Sequence, residues 1–103
     1  MKVKIIAEIG INHEGSVEKC ARMIKEAANV GVNAVKLQTI DADANYVVGS
    51  ESYKIFKGSE LTREETSDMF DLARAKGLEI FTTAGDIETI KWVEELKPSC
   101  WKI

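Results

Sequence analysis

Apolar residues recur along this chain with two periods, and the two alternate. Val3 to Ile9 (VKIIAEI) is a short apolar-rich run read as a first strand, and it exits through a turn-rich GINHEG at Gly10 to Gly15. Ser16 is a good helix N-cap, and Glu18 in the first turn favours the positive end of the helix dipole. Val17, Cys20, Ala21, Ile24, Ala27 and Ala28 then share one helical face, and Gly31 closes the helix as its C′ glycine. Asn33 to Thr39 (NAVKLQT) is the second strand. Ile40 to Glu60 has no clean period and carries Gly49, Ser50, Ser52, Gly58 and Ser59, so it reads as a long loop, functional or mobile.

Helical order returns at Thr62, whose Glu65 completes a capping box. Met69, Phe70 and Ala73 form the buried stripe of that helix, and Gly77 ends it. Its charges, Arg63, Glu64, Glu65, Asp68, Asp71, Arg74 and Lys76, read as a solvated face. Leu78 to Thr83 (LEIFTT) is the third strand. Asp86 opens a third helix bearing Ile87, Ile90 and Val93, which stops before Pro98. Cys100 to Ile103 (CWKI) reads as the start of a fourth strand.

Strands alternating with helices argue for α/β architecture built of parallel βαβ units with right-handed crossovers. A (β/α)8 TIM barrel typically needs ~250 residues, and this chain has 103. The expectation is therefore residues 1–103 as the N-terminal portion of such a barrel. A complete small domain is the weaker alternative.

Strand parity then locates candidate chemistry. Ile5, Ala7 and Ile9, with Val35 and Leu37, should face the helices. Ile6, Glu8 and Gly10, with Ala34, Lys36 and Gln38, should face the barrel interior. That parity puts a carboxylate and an ammonium indoors on adjacent strands, near their C-terminal ends. Burying an unpaired charge costs several kcal/mol, so Glu8 and Lys36 either pair to fix the strands or face a ligand. Barrel active sites lie at the C-terminal strand ends, which favours the ligand. Thr82 and Thr83 end the third strand, and Lys102 would be a second interior cation. Lys36 and Lys102 together suit an anionic phosphate or carboxylate. Asn12 and His13 lie in the first strand-to-helix loop, where His13 is read as an exposed or capping residue.

Composition narrows the picture by exclusion. With 14 Lys+Arg against 17 Asp+Glu, a net charge of −3 and no basic stripe, nothing points to nucleic acid. No apolar run approaches the ~20 residues of a membrane helix, and the N-terminal apolar stretch is too short for a secretory leader. Cys20 and Cys100 fit neither a disulfide framework nor a zinc spacing, and Cys20 falls on the buried face of the first helix. His13 is the single histidine, so no metal site can be assembled from this chain. These features describe a soluble cytoplasmic protein with reduced thiols.

The segment IIAEIGINHEGS at Ile5 to Ser16, followed by AVKLQT at Ala34 to Thr39, closely resembles the N-terminal part of the sialic acid synthase family. The later GLEIFTTAGDIETIKWVEELKPSCWKI is similar to the family's third strand, third helix and fourth strand. A departure is Ala84-Gly85, where many bacterial members have Pro-Phe. The resemblance implies an enzyme that condenses phosphoenolpyruvate with the open-chain aldehyde of an N-acylated hexosamine, making a nonulosonic acid. C3 of phosphoenolpyruvate attacks the aldehyde, water adds at C2, and phosphate leaves by C–O cleavage. By the same resemblance Glu8 contacts the acceptor sugar. Lys36, Thr83 and Lys102 hold the donor's phosphate and carboxylate, while Gln38 and Asn12 are further substrate-binding positions. It also implies a divalent metal, manganese, held by histidines beyond Ile103, a C-terminal antifreeze-like domain, and a homodimeric full-length enzyme. Two alternatives stand: a phosphoenolpyruvate-condensing barrel acting on a phosphorylated sugar, and a non-catalytic fragment.

Overall fold

The computed structural model describes residues 2–103. Three strands, β1 (Ile6–Gly10), β2 (Ala34–Thr39) and β3 (Glu79–Ala84), form one parallel sheet in the order β1-β2-β3. The connections are helical: α1 (Val17–Asn29) joins β1 to β2, and α4 (Arg63–Ala75) precedes β3. Between β2 and α4 stand two short helices, α2 (Ala42–Asn45) and α3 (Glu51–Gly58), and α5 (Ile87–Glu95) follows β3. This is the N-terminal portion of a (β/α)8 barrel.

Sequence chemistry explains the element ends. Ser16 accepts from the Lys19 amide at the start of α1, and Gly31, at φ +83°, ends it in the left-handed turn that glycine adopts at least cost. Thr62 and Glu65 form the reciprocal capping box of α4, and Gly77 ends that helix at φ +79°. The core lies between the sheet and α1 with α4. Ile24, Phe70, Val35, Leu37 and Ile80 are each at most 1% exposed. Fully burying side chains of this size contributes about 1.5–3 kcal/mol each. Cys20 sits in the same core, and burial pushes its thiol up to about 11, so it behaves as a small apolar residue.

Three expectations are corrected by the fold. The Ile40–Glu60 stretch is largely helical, since Asp41 caps α2 and Ser50 caps α3. It lacks a sequence period because α3 buries no residue. In α5, Thr89 and Val93 are buried, whereas Ile87 and Ile90 are 70% and 40% exposed. Residues 100–103 form no strand. Ser99 donates from its amide to Ile80 O at 2.9 Å, and pairing along β3 goes no further. A four-residue segment without a continuous backbone ladder to its neighbour buries too little to offset its ordering. Finally, β1 begins at Ile6 rather than Val3, because Val3 and Lys4 are exposed and find no partner in the β2 register.

Candidate functional site

Register brings most of the candidate residues together. Glu8 pairs with Lys36 across β1 and β2, and Gln38 pairs with Thr83 across β2 and β3. Side chains at Lys36 and Gln38 project to the side of the sheet opposite Leu37 in the core. Lys36 Nζ donates to Glu8 Oε1 at 3.0 Å. The pair is lopsided, with the lysine side chain 11% exposed and the glutamate 53%. The ammonium is thus held in a sheltered position, whereas one side of the carboxylate is open to an incoming group. The ion pair therefore forms, and its geometry leaves Glu8 accessible.

Gly10 makes room for this cluster. It follows a bulge between Glu8 and Gly10 and sits at φ +57°. A Cβ there would lie 3.0 Å from Gln38 Oε1 and 3.5 Å from Glu8 Oε1. The carboxamide of Gln38 consequently reaches over β1 toward the Glu8 carboxylate. Thr83 is half-buried at the end of β3. Asn12 is exposed in the first loop, with its Nδ2 donating to Ile9 O at 2.9 Å. Lys102 is not brought to this cluster: it is exposed, and its Nζ donates to the neighbouring Ile103 O at 2.6 Å. Without a fourth strand to carry it, parity gives Lys102 no defined side.

A second feature escaped the sequence pattern. His13 is not an exposed loop residue; it is 1% exposed, and its Nδ1 accepts from the Gly15 amide at 3.0 Å. Burial lowers its pKa, against a smaller opposing influence of Glu65, so the ring is neutral and carries its proton on Nε2. His13 lines a cavity of about 330 Å³ with Leu37, Gln38, Thr39, Asp41, Glu60, Thr66, Thr89 and Trp92. Leu37, Gln38 and Thr39 line it in succession and Lys36 does not, so the cavity lies at the C-terminal end of β2, beyond the Glu8–Lys36 pair. Its floor includes Thr39, whose hydroxyl is 2.7 Å from that of Thr82. A histidine set directly between Asn12 and Glu14 has no adjacent apolar residue to announce its burial.

The segment from Asp41 to Glu60 forms one wall of this cavity and is organised by polar contacts. Asp43 accepts from the Tyr53 hydroxyl at 2.7 Å and from Lys57 Nζ at 3.0 Å. These partners, the tyrosine hydroxyl first, hold the Asp43 carboxyl below the usual range. Glu60 Oε1 accepts from the Ala42 amide at 2.9 Å, and the Tyr46 and Phe56 rings stack with centroids 5.0 Å apart. Among the described residues, no three of His, Cys, Asp and Glu lie close enough together to hold a metal ion. None of the helices there is long and apolar enough to cross a membrane.

With this geometry in place, the likeness to known proteins is informative. The structure superposes on a sialic acid synthetase from Leptospira borgpetersenii serovar Hardjo-bovis, solved with citrate, at a TM-score of 0.93 and 29% identity. That match covers 100% of this chain and 36% of the other. The N,N'-diacetyllegionaminic acid synthase of Legionella pneumophila is 30% identical over 106 residues, covering 89% of this chain and 30% of the relative. The N-acetylneuraminate-9-phosphate synthase of Drosophila melanogaster is 44% identical over 66 residues, covering 64% of this chain and 15% of the relative. The chain spans about a third of the length of the curated relatives that match nearly all of it. Residues 23–103 match the NeuB family, a span that includes Lys36, Gln38, Thr83 and Lys102 and begins after Glu8 and Asn12. On that match, over more than half of its length, this chain belongs to the NeuB family.

Proposed function

We propose that the protein carrying this chain condenses phosphoenolpyruvate with an N-acylated hexosamine aldehyde to make a nonulosonic acid. In this reading, residues 1–103 supply the N-terminal part of its barrel. The observation that carries the reading is the Glu8–Lys36 pair, a sheltered ammonium beside a half-open carboxylate on the strand face opposite the core. Lys36 neutralises the anionic donor, and Gln38 and Thr83, adjacent across the β2–β3 register, supply neutral hydrogen bonds beside it. Glu8 orients acceptor hydroxyls through its open side, and Asn12 borders the same strand end. Lys102 joins the donor site only when Cys100–Ile103 pairs along the open edge of β3. The divalent metal of such chemistry finds no ligand set among the described residues. Positioning two bound substrates supplies much of the rate.

The test is phosphate release from phosphoenolpyruvate plus N-acetylmannosamine in the full-length protein, for the unaltered sequence and for Lys36→Ala. Loss of a charge-assisted contact costs about 1.5–3 kcal/mol, so the KM for phosphoenolpyruvate should rise by at least about tenfold. Unchanged donor kinetics would remove Lys36 from the site. The 103-residue polypeptide alone should release no phosphate, since β1 and β3 are both open sheet edges and the acceptor has no metal to activate it. A second reading, with a phosphorylated hexosamine as acceptor, is favoured by the similarity to a 9-phosphate synthase. Comparing the free and phosphorylated sugars in the same assay separates the two.

A further inference from the structure

We propose that Asn45 is a positioning residue for the donor side of the site, acting through Gly85 on the end of β3. The proposal rests on the functional reading above. A Cβ built on Gly85 would lie 2.3 Å from Asn45 Oδ1, 2.9 Å from its Cγ and 3.1 Å from its Nδ2. The whole carboxamide therefore lies against the Gly85 backbone, in space that any other residue would fill. Nor is the carboxamide free to swing aside. Its Nδ2 donates to Asp41 O at 2.8 Å, and the Asn45 amide donates to the same oxygen at 3.1 Å. Asp41 caps α2, and Glu60 ties down the Ala42 amide that follows it.

Gly85 occupies the junction that matters. It lies two residues beyond Thr83 and immediately before Asp86, which caps α5 by accepting from the Thr89 amide at 3.1 Å. Pinning Gly85 fixes the direction in which the chain leaves Ala84, the last residue of β3. The far end of the same excursion also rests on a glycine, there through its backbone. A Cβ on Gly15, at φ +78°, would lie 2.5 Å from Gly58 O at the end of α3. The α2–α3 excursion thus bridges the loops after β1 and β3, spanning the C-terminal end of β2 where Gln38 stands. It acts as a brace on the chain just beyond β3, next to the Gln38–Thr83 pair that the sheet itself fixes, with Asn45 as its contact on the donor side.

The experiment measures phosphoenolpyruvate affinity by calorimetry, with melting temperature alongside, in the full-length protein. The variants are Gly85→Ala, Asn45→Ala and the pair combined. Gly85→Ala should weaken donor binding by about tenfold, since small misplacements of binding groups are costly. Asn45→Ala should weaken it less, and the double variant should bind at least about threefold better than Gly85→Ala, because removing the carboxamide restores the space. Asn45→Asp keeps the volume but sets a carboxylate against Asp41 O, and should weaken binding by about threefold. That variant is decisive should Gly85→Ala not fold, and unchanged affinity in Asn45→Asp overturns the proposal. Additive effects overturn it too, as does coupling seen in melting temperature without any in affinity, which marks a purely structural contact. An unaltered protein that binds no phosphoenolpyruvate defeats the functional reading and this proposal with it. Normal donor binding with uncoupled variants defeats this proposal alone.

Discussion

The α1–α4 side of the sheet and the α2–α3 excursion are neighbours held by different forces. The first is an apolar core in which Cys20, Ile24, Ala73 and Val35 are completely buried. The second buries only Ala42, and leaves Val47, Val48 and Ile55 more than half exposed. It is held by charged and polar contacts around Asp43, by one aromatic stack, and by close contacts at Gly15 and Gly85. Burial of apolar area is non-directional and pools over many residues. Polar clasps and close backbone contacts are few, directional and individually breakable. The two regions should therefore fail differently, the core all at once and the excursion locally.

The hardest blow to the core should be Phe70→Ala. Phe70 is 1% exposed and carries Arg74 over its ring, so truncation leaves a cavity and should cost about 3–5 kcal/mol. A denaturation midpoint that barely moves would show that this region is not packed as described. Gly15→Ala should strike the excursion instead. It forces a methyl group toward Gly58 O in a left-handed conformation, at a cost of about 1–3 kcal/mol. Its signature should be faster hydrogen exchange across α3 than across α1 and α4; uniform loosening would erase the contrast.

Removing the α4 cap with Thr62→Ala should cost about 1 kcal/mol. It breaks the bond from the Glu65 amide at the border of the two regions, so both should loosen slightly. The smallest effects should come from pH. The neutral form of His13 is favoured by burial, so its stabilising contribution is complete above the ordinary value of 6.5 and declines as pH falls below it. The Asp43 carboxyl is depressed, so its contribution is complete above the ordinary value of 3.8, declines below it, and is lost as pH falls through the lower folded-state value. A pH series followed by exchange at α3 should show the excursion intact at pH 5 and loosened near pH 3. Loosening that tracks His13 rather than Asp43 would relocate the clasp.

Much of this was legible because the sheet and its large helices obey simple periods. The α1 stripe, the Thr62 capping box, the glycine stops at Gly31 and Gly77, and the facing of Glu8 toward Lys36 all follow from local rules that the structure satisfies. Residues 100–103 misled because a strand needs a partner as well as a composition.

What the sequence alone determined is the alternation of strand and helix, the parity that sets Glu8 and Lys36 on one face, and the family signature. Each depends on neighbours within about one helical turn or on strict alternation, so each is written locally. Only the tertiary structure decided that His13 is buried, that a cavity lies at the C-terminal end of β2, and that Gly15 and Gly85 seat the α2–α3 excursion. Those features arise where segments distant in sequence approach to within contact, and a glycine carries no mark of what will later press against it.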